Sequence, residues 1–156
     1  GKRGGSKKRK LQKVISAQNE GKKIIGNLSK RDKLLFLCSL YWAEGSKKDF
    51  GLSNTDPGII KIFLKTLKEL FGIMEDRLRI SIRIYEDLDR EKCLTFWSNI
   101  VGIPTNKFIS VNILSGRKKG KLEYGMCRVR ILKGGDLLKK INGINKAVLD
   151  NFALIA

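Results

Sequence analysis

The sequence contains no histidine, and this absence excludes several classes of protein at once. Zinc fingers with histidine ligands, nucleases that use histidine as the general base and Ser-His-Asp hydrolases all need an imidazole ring. Any hydrolytic chemistry in this chain must therefore depend on carboxylates, lysines and a bound metal.

Cysteine is scarce, and its distribution argues against a disulfide-stabilised protein. Cys38, Cys93 and Cys127 are far apart, each lies among apolar residues, and their number is odd. A small secreted domain held by disulfides has a denser, even-numbered set. We therefore expect three buried thiols in a reducing, intracellular compartment, such as the cytoplasm, the nucleoid or an organelle.

Long apolar runs are also missing. No stretch approaches the ~20 apolar residues that span a bilayer, and the first residues lack the apolar core of a signal peptide. We therefore expect no membrane partner. Because the sequence opens on Gly1 rather than methionine, we expect a truncated form of a longer protein or a chain made for expression.

Acidic residues are few. The chain of 156 residues has 33 Lys and Arg but only 15 Asp and Glu, which gives a net charge of +18. Charge of this size destabilises a compact chain unless a polyanion neutralises it. A solubilising surface and a membrane-surface protein are the alternatives. The basic residues recur on predicted strands as well as near the terminus, so a nucleic acid is the favoured partner.

The first part of the chain has a composition of its own. Residues 1–31 hold eleven basic residues and one acid, Glu20. We interpret them as a basic extension, disordered over 1–12 until it meets a phosphate backbone, with a short helix over 11–20. The regular pattern of a folded domain begins at Asp32 and continues to residue 156.

Residues 32–156 alternate between helical and strand patterns, which predicts an α+β domain. The first helix starts after Ser29 and runs to about Ala43, and a short strand with Phe50 and Leu52 follows. The turn at 54–57 predicts a second helix, which Gly72 ends. Residues 77–85 alternate strictly between apolar and polar side chains, as in a half-buried strand.

The second half of this domain continues the pattern. A helix is predicted over 89–101 and a last helix after 134–135. Two strands, around 109–113 and 126–131, are joined by a glycine-rich basic loop at 115–121. We interpret that loop as the tip of a hairpin. The expected sheet is mixed or antiparallel, with helices on its apolar face and polar side chains on the other.

The polar face of the expected sheet is rich in arginine. An arginine-bearing ribbon fits the major groove, where arginine reads guanine through two hydrogen bonds. The alternative is an ordinary solvated face, but such a face would carry acids, and none occurs over 77–85 or 126–131. The residues that we expect to contact DNA from the strands are Arg77, Arg79, Ser81, Arg83, Ser110, Asn112, Arg128, Arg130 and Ser53. From the loops we expect Lys47, Lys48, Asn54, Arg117, Lys118 and Lys119.

The segment 37–45, Leu-Cys-Ser-Leu-Tyr-Trp-Ala-Glu-Gly, is a second distinctive pattern. Its small residues allow two helix backbones to approach closely. The carboxylate of Glu44 lies near Lys47 and Lys48, where it can hold a hard divalent cation beside a phosphate. The alternative is a buried core helix that ends in an exposed acid.

This segment resembles the signature of the LAGLIDADG homing endonucleases. Leu37, Leu40, Ala43 and Gly45 match it, Cys38 and Ser39 stand for its small pair, and Glu44 stands at its metal-binding acid. The resemblance extends over about residues 32–150, through the turn at 53–57 and the arginine-rich strands.

The resemblance implies a saddle-shaped sheet that lies on DNA and a motif helix at a dimer interface formed by Cys38, Ser39 and Trp42. It also implies a homodimeric, site-specific endonuclease that uses Mg²⁺ or Mn²⁺ held by Glu44. The family adds a lysine and a polar side chain near the metal, and the candidates for these are Lys121, Lys133, Asn54 and Asp56.

Three departures from the family pattern leave other functions open. Trp42 stands at an earlier acidic position, the strand after Glu44 is short, and the helix over 89–101 is inserted. The same fold also serves DNA-binding transcriptional regulators that do not cleave DNA. Because fold does not determine function, such a regulator is the alternative to the endonuclease. An RNA-binding or intron-splicing accessory protein is a third alternative.

Overall fold

The computed structural model describes residues 2–117 and 122–152 of the chain. Contacts between residues divide it into two compact units, Gly1–Asp32 and Lys33–Ala156. The first unit contains a long helix, and the second contains a four-stranded sheet with its helices.

Helix α1 of the first unit spans Lys2–Ile25, so it begins earlier than the short helix we expected. Lys, Arg, Leu and Gln, which dominate its first half, have high helix propensities, and no proline interrupts them. Gly26 then adopts the left-handed conformation with φ 56° and ends the helix. Residues 2–12, which belong to the segment 1–12 that we expected to be disordered until it meets a phosphate backbone, are helical in this structure.

Helix α2, Lys30–Glu44, starts with a capping box. Asp32 donates its backbone N–H to Ser29 Oγ at 3.1 Å, and the Asp32 carboxylate accepts the Ser29 N–H at 2.8 Å. The hydrogen bond from the Ser29 backbone N–H, and then the Ser29 hydroxyl, lower the pKa of the Asp32 carboxyl. The predicted cap at Ser29 is therefore confirmed.

The other helices are α3, Pro57–Phe71; α4, Arg90–Val101; and α5, Gly135–Asn151. Asp56 caps α3 by accepting the Gly58 N–H at 2.7 Å, and Gly72 ends it in the left-handed conformation. Asp89 and Gly102 bound α4 in the same way. The starts and ends of α3 and α4 agree with the sequence because they depend on local cap chemistry.

The sheet has four strands in the order β1-β4-β2-β3. They are β1, Gly51–Asn54; β2, Leu78–Tyr85; β3, Ser110–Leu114; and β4, Met126–Ile131. Strand β4 pairs antiparallel with both β1 and β2, whereas β3 pairs parallel with β2. The chain is thus an α+β protein with a mixed sheet.

The hairpin predicted from 109–131 is wrong, because β2 separates β3 from β4. A parallel pair such as β2–β3 requires a crossover, which cannot be a short turn. Helix α4 provides this crossover, so the segment that looked like an insertion is the connection that makes the sheet mixed. The loop after β3 then leads the chain past β2 to β4.

The core of the second unit lies between the apolar face of the sheet and helices α2 to α5. Ile80 and Ile82 of β2 and Val129 of β4 are buried there with Trp97 of α4 and Ile141 of α5. The three cysteines are buried and unpaired, as predicted. Burial raises the pKa of the Cys127 thiol to about 12, so this thiol stays protonated and inert at neutral pH.

Candidate functional site

The side of the sheet opposite the core carries the predicted reading residues. Strand register places Ser53, Arg128, Ser81 and Ser110 in one row across all four strands. Residues directly opposite on paired strands share a face. We call this surface the polar face; its members are Ser53, Arg79, Ser81, Arg83, Ser110, Asn112, Arg128 and Arg130.

The members of the polar face differ in how far their side chains are exposed to solvent. Arg83, Ser110 and Asn112 are exposed, and Arg83 lies opposite Asn112 in the register. Arg79 donates from Nη1 to the carbonyl oxygens of Asp76 and Leu78 at 2.7 and 2.9 Å, so its guanidinium is partly engaged. Ser81 is buried between its neighbours and is 8% exposed. On β2 and β3, the members of the polar face that are open to solvent are therefore Arg83, Ser110 and Asn112.

An acid that the strand pattern did not reveal lies against this face. Asp49 Oδ2 accepts a hydrogen bond from Arg128 Nη2 at 2.8 Å and lies 4.0 Å from Arg130 Nε. Asp49 comes from the loop between α2 and β1, outside the strands whose outward positions lack acids. The polar face therefore has a fixed negative charge next to two of its arginines.

Glu44 lies at the end of α2, beside the β1 edge of the sheet. The adjacent Gly45 forms an isolated antiparallel bridge with Leu52. Asn54 Nδ2 donates to Glu44 Oε2 at 3.1 Å, and Asn54 Oδ1 accepts the Asp56 N–H at 2.9 Å. The exposed carboxylate of Glu44 is thus held by the amide that also begins α3.

This arrangement corrects the expected place of Asn54. Its register partner is Cys127, a core residue, so Asn54 is on the helix side of the sheet and not on the polar face. A strand alternates with a period of two, and Asn54 is one position from Ser53. Asn54 supports Glu44 rather than extending the reading surface.

The described residues contain no preformed cluster of metal ligands. Within residues 2–117 and 122–152 there is no group of three acids, cysteines or histidines that could hold a metal. Mg²⁺ is bound by one or two carboxylates together with waters and substrate phosphates. The Glu44 carboxylate therefore needs a second acid or a phosphate beside it.

The exposed side of α2 contains two of the three residues that we predicted at the dimer interface. Ser39, Trp42, Ala43 and Phe36 are exposed, and Trp42 and Phe36 are 49% and 54% exposed. Cys38, however, is 1% exposed and belongs to the core. Its assignment to the interface is wrong, because adjacent helical residues point about 100° apart and the core covers the side on which Cys38 lies.

Two further predicted site residues have other roles. The Arg77 guanidinium donates to the carbonyl oxygens of Leu132 and Lys133 at 3.0 to 3.1 Å, so it fixes the turn after β4 and does not belong to the polar face. Lys133 lies in that turn, and the neighbouring Gly134 packs against Phe50.

Within one chain, Lys133 lies towards the opposite end of β1 from Glu44. Phe50 precedes β1 and Asn54 ends it, a separation of four residues or about 13 Å along a strand. Glu44 bonds to Asn54, at the far end of β1 from the Lys133 turn. Strand geometry therefore places Lys133 away from the carboxylate.

The basic loop residues are exposed at several places. Lys47 donates to the carbonyl oxygen of Trp42 at 3.0 Å and so caps the end of α2. Lys48 and Arg117 are exposed. The predicted contacts Lys118 and Lys119 and the catalytic candidate Lys121 lie outside the described residues.

Comparison of the chain with protein-family models, with curated proteins and with solved structures finds no match. Among the described residues, no helix is long and apolar enough to cross a membrane. The candidate function therefore depends on the chemistry of the polar face and of Glu44.

Proposed function

We propose that this protein binds double-stranded DNA through its polar face and, as a homodimer, hydrolyses phosphodiester bonds at a specific site with Mg²⁺ or Mn²⁺. The observation that carries the proposal is the register that aligns Arg83, Arg128 and Arg130 on one side of a sheet whose other side is the core. Such a surface can approach a groove without any loss of packing.

The electrostatics of the chain support a polyanionic partner. The net charge is +18, and the side chains on this face pair arginine with serine and asparagine, which are the donors and acceptors used on base edges. Arginine is suited to guanine because its planar fork matches two acceptors at once. Exposed lysines of the loops, such as Lys48, suit phosphates instead.

Hydrolysis is proposed from Glu44 and its resemblance to the family acid. A second copy packed on the exposed side of α2, through Ser39 and Trp42, would bring two Glu44 carboxylates towards each other. A divalent cation bound there would neutralise the phosphate and lower the pKa of a bound water. The residues of this chain would contribute two things to that reaction. Glu44 supplies the negative charge that would bind the cation, and Asn54 orients the Glu44 carboxylate through its hydrogen bond.

The test is incubation with a random double-stranded DNA library, in magnesium or manganese, followed by sequencing of the bound fraction and of all cut ends. A bound consensus with cut ends that disappear on chelation supports the proposal. A consensus without cut ends overturns the enzyme and supports the non-cleaving regulator. If structured RNA displaces the bound library and competitor DNA does not, both the endonuclease and the DNA-binding regulator are overturned.

A further inference from the structure

Asp49 is the one acid that the described structure places against the arginines of the polar face. Its Oδ2 lies 2.8 Å from Arg128 Nη2 and 4.0 Å from Arg130 Nε. The side chains of Arg128 and Arg130 remain 49% and 46% exposed. The Arg128 guanidinium therefore has one edge bonded to Asp49, whereas Arg130 lies only within electrostatic reach of it, and both side chains remain partly open to solvent.

The backbone of Asp49 is held in place from the motif helix. The buried hydroxyl of Tyr41 lies 2.7 Å from the Ser46 carbonyl oxygen and 3.0 Å from that of Asp49, and it accepts the Gly51 N–H at 3.3 Å. Ser46 Oγ accepts the Asp49 N–H at 3.4 Å. The loop thus presents the carboxylate at a fixed point, at the level of Arg128.

The Asp49–Arg128 ion pair contributes little to the stability of the fold. The side chains of Asp49 and Arg128 are 31% and 49% exposed, and an ion pair that is open to solvent is weakened by screening. The place of the acid, against the arginines of the polar face, points instead to a role in binding.

We propose that Asp49 is a specificity-determining residue, which holds Arg128, and attracts Arg130, so that these side chains meet base edges rather than phosphates. The inference rests on the proposed binding of DNA by the polar face. A carboxylate on such a surface repels phosphates and so weakens binding to every sequence alike. A guanidinium fixed along one edge keeps other donors for the O6 and N7 acceptors of guanine. Asp49 therefore lowers the affinity for DNA of any sequence and raises the discrimination between sequences.

The experiment compares Asp49→Ala with the parent on two duplexes of equal length, the selected consensus and an unrelated sequence, at one salt concentration. We expect the variant to bind the unrelated duplex more tightly, and the ratio of the two dissociation constants to fall about tenfold, the discrimination of one bidentate arginine–guanine contact. Because the ratio is measured on one sample, the fraction of folded protein cancels.

Asp136→Ala is the matched control. It makes the same change of charge at a fully exposed side chain in the first turn of α5, which forms an ion pair with Lys139 of its own helix. We expect it to leave the ratio unchanged. Asp49→Asn, which keeps the volume and loses the charge, should resemble Asp49→Ala, and Asp49→Glu should recover part of the discrimination.

The possible results separate the two proposals. If the parent discriminates between the duplexes and Asp49→Ala and Asp49→Asn discriminate equally well, the role of Asp49 is overturned and DNA binding stands. If the parent binds neither duplex, the proposed function fails and this inference fails with it. A fall in the ratio for Asp136→Ala of the same size would assign the effect to net charge and overturn the inference.

Discussion

The side-chain amide of Asn145, on α5, donates a hydrogen bond of 2.9 Å to the carbonyl oxygen of Cys38, in the middle of α2. Asn145 is 8% exposed, so this bond is shielded from water. It fixes the rotation of α2 about its axis. That rotation decides that Cys38 faces the core and that Ser39 and Trp42 face outward.

Replacement of Asn145 should therefore destabilise the fold. We expect Asn145→Ala to lower the free energy of unfolding by about 1–3 kcal/mol, the cost of removing a buried hydrogen bond and of the space that remains. Urea unfolding followed by circular dichroism measures it. Asn151→Ala, whose exposed amide bonds only within α5, should change stability by less than half as much. Equal effects would contradict a locking role for Asn145.

The exposed side of α2 gives a prediction on assembly. Ser39→Arg adds bulk and like charge where two copies of α2 would approach, and overpacking alone costs about 1–3 kcal/mol. We expect sedimentation to show a parent dimer on its DNA site and a weakened dimer for the variant. Thr95→Arg, at an exposed position of α4, is the control and should remain dimeric. A parent that binds its complete site as a monomer contradicts the dimer.

Cleavage should depend on the charge of Glu44. Glu44→Gln keeps the hydrogen bond to Asn54 and loses the negative charge, so we expect cleavage to fall by orders of magnitude while DNA binding persists. Asn54→Ala releases the carboxylate and should reduce cleavage less. Glu91→Gln, at an exposed acid of α4, is the control. The rate of cut-end formation in magnesium measures each, and normal cutting by Glu44→Gln refutes the role of this acid.

Arg83 and Arg77 both belong to the alternating segment 77–85, but we expect their replacement to have different effects on DNA sequence preference and on stability. Arg83→Ala should change the preferred base at one position and leave stability unchanged, because the side chain is exposed. Arg77→Ala should cost about 1–2 kcal/mol of stability and leave the preferred sequence unchanged, because its guanidinium bonds carbonyl oxygens of the β4–α5 turn. Selection on a randomised site, together with thermal unfolding, separates the two. The reverse pattern would show that the polar face is misassigned.

The basic extension should govern salt dependence. Lys8→Gln with Lys10→Gln should weaken binding to consensus and unrelated duplexes equally. The dependence of log K on log salt should flatten by about 0.9 for each phosphate that the variant no longer neutralises. The control replaces Lys61 and Lys65, which are exposed on α3, by glutamine. An unchanged slope for the first variant means that these lysines do not meet phosphates.

The helix ends and the period of the strands could be predicted because their causes are local. Ser29 with Asp32, Asp56 with Pro57, and the left-handed Gly72 act within a few residues of the ends they set. The alternation in β2 likewise separates Ile80 from Arg79 without any knowledge of the partner strand. These features follow from neighbouring residues alone.

Non-local relations could not be predicted in this way. The strand β4 lies between β1 and β2 rather than beside β3, and this order depends on pairings between distant segments that the loop sequence does not contain. The hydrogen bond between Asp49 and Arg128 joins residues from different parts of the chain, so no strand pattern contains it. In α2, which is apolar on nearly every side, period alone could not decide between Cys38 and Ser39 as the outward residue.

The central place of β4 has a consequence for folding. β4 follows β1, β2 and β3 in sequence, yet it supplies both antiparallel pairings. Until it is added, β1 has no neighbouring strand in the sheet, and the unpaired edge of β2 remains open. Because such distant pairings are slow to form, nascent chains should pass through a state with exposed strand edges. Release of the last strand from the ribosome, rather than closure of the helices, should then mark the moment at which a newly made chain becomes resistant to protease.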